Sequence, residues 1–145
     1  MAGPAALQCT LALESLQPAT LHFVLRNTAH HGVDVLTWGT PFEGWFHPFV
    51  RVTRDGVELR YQGPTLKRGD PDREDYLRFM AGQSHGASIA LQPAYDVGAP
   101  GRYRVEPRIV LHDAARSAGA RVSARPRSQH QAAALDCAAL EFELR

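Results

Sequence analysis

A chain of 145 residues is long enough to enclose one hydrophobic core and short for two. Hydrophobic residues make up 44% and charged residues 21%, which excludes a disordered chain. With 16 basic residues against 15 acidic ones, the net charge of +1 provides no broad field for nucleic acid or an anionic membrane.

No run approaches the ~20 apolar residues that a membrane-spanning helix needs. The N-terminus, Met1 to Leu7, has neither a basic start nor a long apolar core, so it does not read as a signal peptide. The expectation is a cytoplasmic protein, or a periplasmic or secreted one if a signal has been removed. Cys9 and Cys137 are expected as free thiols in a reducing compartment, with a bridge between them open if the chain is exported.

Period-two alternation recurs along the chain and predicts half-buried strands. Cys9–Leu13 is the first. Leu21, Phe23 and Leu25 then alternate with His22, Val24 and Arg26, and after the polar turn 27–32 the segment Val33–Trp38 reads as a return strand. Phe49–Arg54 and Val57–Tyr61 flank Asp55-Gly56, the strongest short hairpin signal because both turn residues tolerate positive φ. Asp72–Leu77, after Pro71, could form one helical turn. Ala87, Ile89 and Leu91 mark a strand within 82–92. Tyr103, Val105, Ile109 and Leu111 mark another, where Pro107 predicts an edge or a bulge. Leu140, Phe142 and Leu144 close the set. Residues 113–134, polar and rich in Arg, Ser and Ala, are expected to form a long mobile loop. The whole predicts one domain over 1–145, an all-β immunoglobulin-like antiparallel sandwich of about seven to eight strands.

The chemical motifs are sparse. None of the seven histidines is followed by Glu, so HExxH is absent, and the zinc-ligand spacings do not occur. There is no GxSxG elbow, no GxGxxG and no phosphate-binding loop, so neither enzyme activity nor a cofactor is expected. Two loops stand out instead. Residues 36–49 carry Trp38, Phe42, Trp45, Phe46 and Phe49 among Gly39, Pro41, Gly44 and Pro48, which break any regular element. These rings either plug the end of the sandwich or serve as anchors for a partner, since Trp and Tyr dominate interface hot spots. Residues 61–71 hold the basic pair Lys67-Arg68 between Gly-Pro and Gly-Asp-Pro breaks, either a solvated tip or an exposed loop for a protein partner. The candidate partner-binding residues are Trp38, Thr40, Pro41, Phe42, Glu43, Trp45 and Phe46 in the first loop and Tyr61, Pro64, Lys67 and Arg68 in the second.

The blocks Leu36-Thr-Trp-Gly-Thr-Pro-Phe-Glu-Gly44, Phe49-Val-Arg-Val-Thr-Arg-Asp-Gly56 and Tyr61-Gln-Gly-Pro-Thr-Leu-Lys-Arg-Gly-Asp-Pro71, with Asp75-Tyr76, resemble one family. They are similar to the N-terminal pro-region of bacterial deuterolysin-like zinc endopeptidases, the Asp-zincin or peptidyl-Lys metalloendopeptidase group. The likeness covers about residues 20–111, and small proteinase inhibitors of the BsuPI type share its layout more loosely. The peptidase helix is absent, so the resemblance implies only the pro-region's role: a non-catalytic domain that inhibits a metalloprotease or assists its folding, acting in trans when free-standing. The alternatives are a structural or chaperone-like interaction module with no protease partner, and a metal-dependent enzyme built on the histidines.

Overall fold

A computed structural model of the protein describes residues 6–145, so the signal-peptide reading of the N-terminus falls largely outside the described residues. The described residues form twelve strands: β1 (Leu7–Leu16), β2 (Ala19–Asn27), β3 (Val33–Leu36), β4 (Val50–Arg54), β5 (Val57–Glu58), β6 (Tyr76–Phe79), β7 (Ser84–Ala90), β8 (Gly101–Pro107), β9 (Val110–Leu111), β10 (Ala114–Arg116), β11 (Ala133–Ala134) and β12 (Leu140–Leu144). The count exceeds the expected seven to eight because three of these are two-residue fragments and a fourth, β10, has three residues. Two single 3₁₀ turns, Arg73–Asp75 and Arg127–Gln129, are the helical elements among the described residues.

The all-β sandwich is present. One sheet has the order β1-β2-β7 and the other β12-β8-β4-β5, all pairs antiparallel. In β2 the alternation read from the sequence becomes burial: Leu21, Phe23 and Leu25 are fully inside, while His22 and Val24 are half-buried. They meet Val52, Tyr103 and Val105 of the facing sheet in one core. Each such side chain removed from water contributes about 1.5–3 kcal/mol, so this interdigitation is the main force closing the two sheets. The outer face of β12-β8-β4 carries a charge ladder in which Glu106 accepts from Arg51, Arg104 and Arg108.

The hairpin β4–β5 forms at the expected turn, with Asp55 at φ 50° and Gly56 at φ 82°. Two other expectations are corrected. Segment 33–38 is not the return strand of β2: β2 is already flanked by β1 and β7, and β3 pairs with β6 and β10 in a third sheet. All four β3 residues are buried, as a strand covered on both faces requires. Pro107 marks neither an edge strand nor an interior break. It is the last residue of the central strand β8, where little of the ladder lies beyond it to be interrupted.

Segment 113–134, expected as one long loop, holds β10, a 3₁₀ turn and β11, which pairs with β9. Two buried carboxylates tie it down. Asp113 accepts from Tyr76 Oη (2.7 Å), Arg125 Nε (3.0 Å) and the Gln131 amide (2.8 Å), and its other Arg125 contact makes the pair two-pronged. Asp34 accepts from Arg78 and from Ser117 Oγ at 2.8 Å, and Arg78 also donates to the Gly119 and Ala120 carbonyls.

Cys9 and Cys137 are joined in a disulfide, with Cα atoms 5.1 Å apart. This overturns the expected free thiols. Such bridges persist in oxidising compartments, so the exported alternative is the compatible one. The bridge links β1 to the approach to β12, joining the two sheets covalently at the outer ends of the chain.

Candidate functional site: a cleft between two loops

The aromatic loop is organised by its own hydroxyl and amide groups. Thr40 is fully buried; its Oγ1 donates to the Thr37 carbonyl at 2.7 Å and accepts from the Phe42 amide at 3.2 Å. Turns follow from Glu43 N to Thr40 O and from Gly44 N to Pro41 O, both at 3.3 Å. Gly39 has φ +71°, a left-handed conformation that L side chains rarely adopt, and a Cβ there would stand 3.4 Å from His112 Nε2. The bend therefore favours glycine, while the His112 ring lies at ordinary contact distance from it.

The rings divide between core and surface. Trp45 is buried, stacks on Phe49 with centroids 4.2 Å apart, and donates Nε1–H to the Ala90 carbonyl at 2.7 Å. Phe42 packs edge-on against Phe23 and Phe79. Thr40 and Pro41 are buried with them. Thr40, Pro41 and Trp45 are thus buried, while Phe42 is half-buried against the core. Trp38 packs with Leu36 and Tyr76 in a separate small cluster, and one part of the ring borders the surface. Phe46 is the exposed ring of the loop, at 38% accessibility.

The second loop folds back onto the first. Leu66 N donates to the Phe46 carbonyl at 3.2 Å. Arg68 places its guanidinium 4.7 Å from the Trp38 ring centroid and 5.8 Å from that of Phe46, and its Nη2 lies 2.7 Å from Glu43 Oε1. The other Glu43 oxygen accepts the Gly39 amide at 2.7 Å. Tyr61 and Pro64 do not join this arrangement: Tyr61 Oη donates to the Pro64 carbonyl at 2.5 Å, which stiffens the loop's entry, and the Tyr61 ring packs near Trp45 and Tyr95.

Between the two loops lies a cleft of about 460 Å³. Trp38, Glu43, Phe46, Lys67 and Arg68 border it, so five of the eleven candidates converge there. Sequence reasoning did not place the others there: Gly39, Leu66, Arg127, His47 and His112. No local signal marks Arg127 or His112, which arrive from the far side of the chain. Arg127 donates its amide to Asp70 Oδ1 (2.8 Å) and its Nη1 to the Arg68 carbonyl (2.9 Å), fastening segment 113–134 to the basic loop. The His112 imidazole is held below its ordinary value, first by desolvation against the cleft wall, then by the His47 and His130 rings, with Glu43 opposing. It therefore favours the neutral form. Trp38 Nε1 is buried and has no hydrogen-bond partner among the described residues.

One further grouping has the residue types of a reactive site. On the exposed face of β1-β2-β7, Ser88 Oγ donates to Glu14 Oε1 at 2.5 Å, and His22 Nδ1 lies 3.3 Å from the same hydroxyl and 3.5 Å from the same carboxylate. Serine and acid thus share one imidazole nitrogen. A relay needs them on opposite nitrogens, so this grouping does not activate the serine. Among the described residues, no three His, Cys, Asp or Glu side chains converge as metal ligands.

No protein-family model matches the chain. Over 96 residues it is 32% identical to the "Extracellular protease" of Aeromonas hydrophila, a stretch that takes in 66% of this chain. The match spans 28% of that protein, so the chain is similar to a part of an extracellular protease well short of its whole length.

Proposed function

We propose that the chain is a non-catalytic, protease-associated binding domain of the inhibitor or prodomain kind, which docks on a secreted metalloendopeptidase through the cleft between residues 38–47 and 61–70. The observation that carries this reading is the convergence of the aromatic and basic loops into one bordered cleft. The partial likeness to an extracellular protease supports the class of partner, and the Cys9–Cys137 bridge supports an exported setting. The resemblance to deuterolysin-type pro-regions supplies the finer assignment.

Physically, the site suits docking because its loops are already ordered. Arg68 is held by Trp38 and Glu43, and the Leu66–Phe46 hydrogen bond joins the loops, so little chain entropy remains to be lost on association. The test is a titration of the purified protein against a deuterolysin-type and a thermolysin-type protease, following cleavage of a peptide substrate and recovery of active protease on refolding. Dose-dependent inhibition or enhanced refolding of the first enzyme is the expected result. No change in either readout at micromolar protein removes the proposal.

A further inference from the structure

Beside the two imidazoles His47 and His112, the hydrogen-bonding side chains around the cleft are mostly donors. Its single bordering carboxylate, Glu43, is already used on both oxygens, by Arg68 and by the Gly39 amide. Lys67 is exposed and forms no ion pair among the described residues. The Arg127 guanidinium bonds a carbonyl rather than a carboxylate. The Trp38 indole, a pure donor, has no acceptor among the described residues. At the same rim, Phe46 and Leu66 are 38% and 54% exposed, although both are large apolar side chains.

We infer that this cleft receives a carboxylate-bearing peptide segment, in which an Asp or Glu side chain pairs with Lys67 and Arg127 while a neighbouring apolar side chain lies on Phe46 and Leu66. The inference rests on the reading of the cleft as a partner surface, and it does not require that partner to be a protease. The volume, about 460 Å³, falls in the range of sites that enclose a small ligand and suits a short stretch of chain. The protein already displays this chemistry on itself: Glu43 is a carboxylate seated on a guanidinium and a backbone N–H at the cleft wall. A phosphate fits less well. Its second negative charge would meet Glu43 at close range, and like charges in a partly desolvated site repel strongly.

The test uses a capped hexapeptide with two aspartates flanking a leucine, titrated calorimetrically into the intact protein. Saturable binding is expected, weakening as salt rises. It should fall at least tenfold when asparagine replaces both aspartates, and similarly in the variant Lys67→Ala/Arg127→Ala. Lys67→Arg should retain it. Both altered positions are exposed, and an unchanged urea midpoint confirms that the fold survives. Absence of binding at millimolar peptide overturns the inference. So does equal affinity for the asparagine peptide, for inorganic phosphate, or for a neutral peptide with a free C-terminal carboxylate. Peptide binding without any effect on the proteases leaves this inference standing and removes the protease reading instead.

Discussion

Arg68 sits over the ring of Trp38, with 4.7 Å between the guanidinium carbon and the indole centroid. The two residues come from different loops, so this contact, with the Glu43 ion pair, sets the width of the cleft. Arg68→Ala should destabilise the protein by about 1–2 kcal/mol, combining a partly desolvated cation–π contact with a largely buried ion pair. Arg68→Lys keeps the charge but loses the planar guanidinium and should recover about half of that. Urea unfolding gives the energies. A red shift of tryptophan emission in Arg68→Ala, as water reaches Trp38, reports the opening.

Reducing the Cys9–Cys137 bridge should cost about 2–5 kcal/mol, because it closes almost the whole chain and so restricts the unfolded state strongly. Urea unfolding with and without a thiol reductant measures this. The double variant Cys9→Ser/Cys137→Ser should match the reduced protein and show no response to reductant.

Acid should loosen the Asp113 clamp. Burial works to raise the Asp113 carboxyl, but Arg125, the Gln131 amide and the Tyr76 hydroxyl together outweigh it and hold the group below its ordinary value of 3.8. A lowered carboxyl contributes stability that is present above the unfolded value, and that stability is lost as the pH falls through the folded one. Asp113→Asn, which leaves Arg125 without its counter-charge, should cost about 2–3 kcal/mol near neutral pH, somewhat less than a fully buried pair because Arg125 is partly solvated. The gap between wild type and variant should shrink below about pH 4. Parallel denaturant series at several pH values test this.

Base should act through two tyrosines. Burial, followed by the hydrogen bond to Asp113, pushes Tyr76 up to about 12. Burial likewise pushes Tyr95 up to about 12, and its hydroxyl donates to the Val50 carbonyl at 2.6 Å. In both cases the folded value lies above the ordinary 10.0, so their stabilisation is complete below about pH 10 and drains away as the pH rises toward 12. Tyr76→Phe and Tyr95→Phe should each flatten the alkaline fall in stability, and each should remove one late-titrating group from the tyrosinate absorbance.

The strands were legible where alternation met a local turn. The β4–β5 hairpin follows from Asp55-Gly56, and the inward face of β2 follows from Leu21, Phe23 and Leu25. Strand partners were not legible in the same way. β3 departs to a third sheet because its neighbours, β6 and β10, come from residues 76–79 and 114–116, and no local pattern announces such distant pairings. Segment 113–134 read as a loop because what orders it is long-range: Asp113 and Arg125 look like ordinary polar residues until Tyr76 and Gln131 close around them. At the cleft, composition drew attention to both loops. Trp45 and Phe42 are indistinguishable in sequence from the exposed Phe46, however, and only packing separates anchor from core.

The covalent link between Cys9 and Cys137 also decides how the domain carries mechanical load. Tension applied between the two ends of the described chain would run through the sulfur–sulfur bond, and only the residues outside it could extend, β12 by leaving β8. The ladders enclosed by the bridge would bear almost no force, and the cleft would keep its shape under pull. A single-molecule stretching trace should therefore be short in oxidising buffer, and should gain a long unfolding step once the thiols are released.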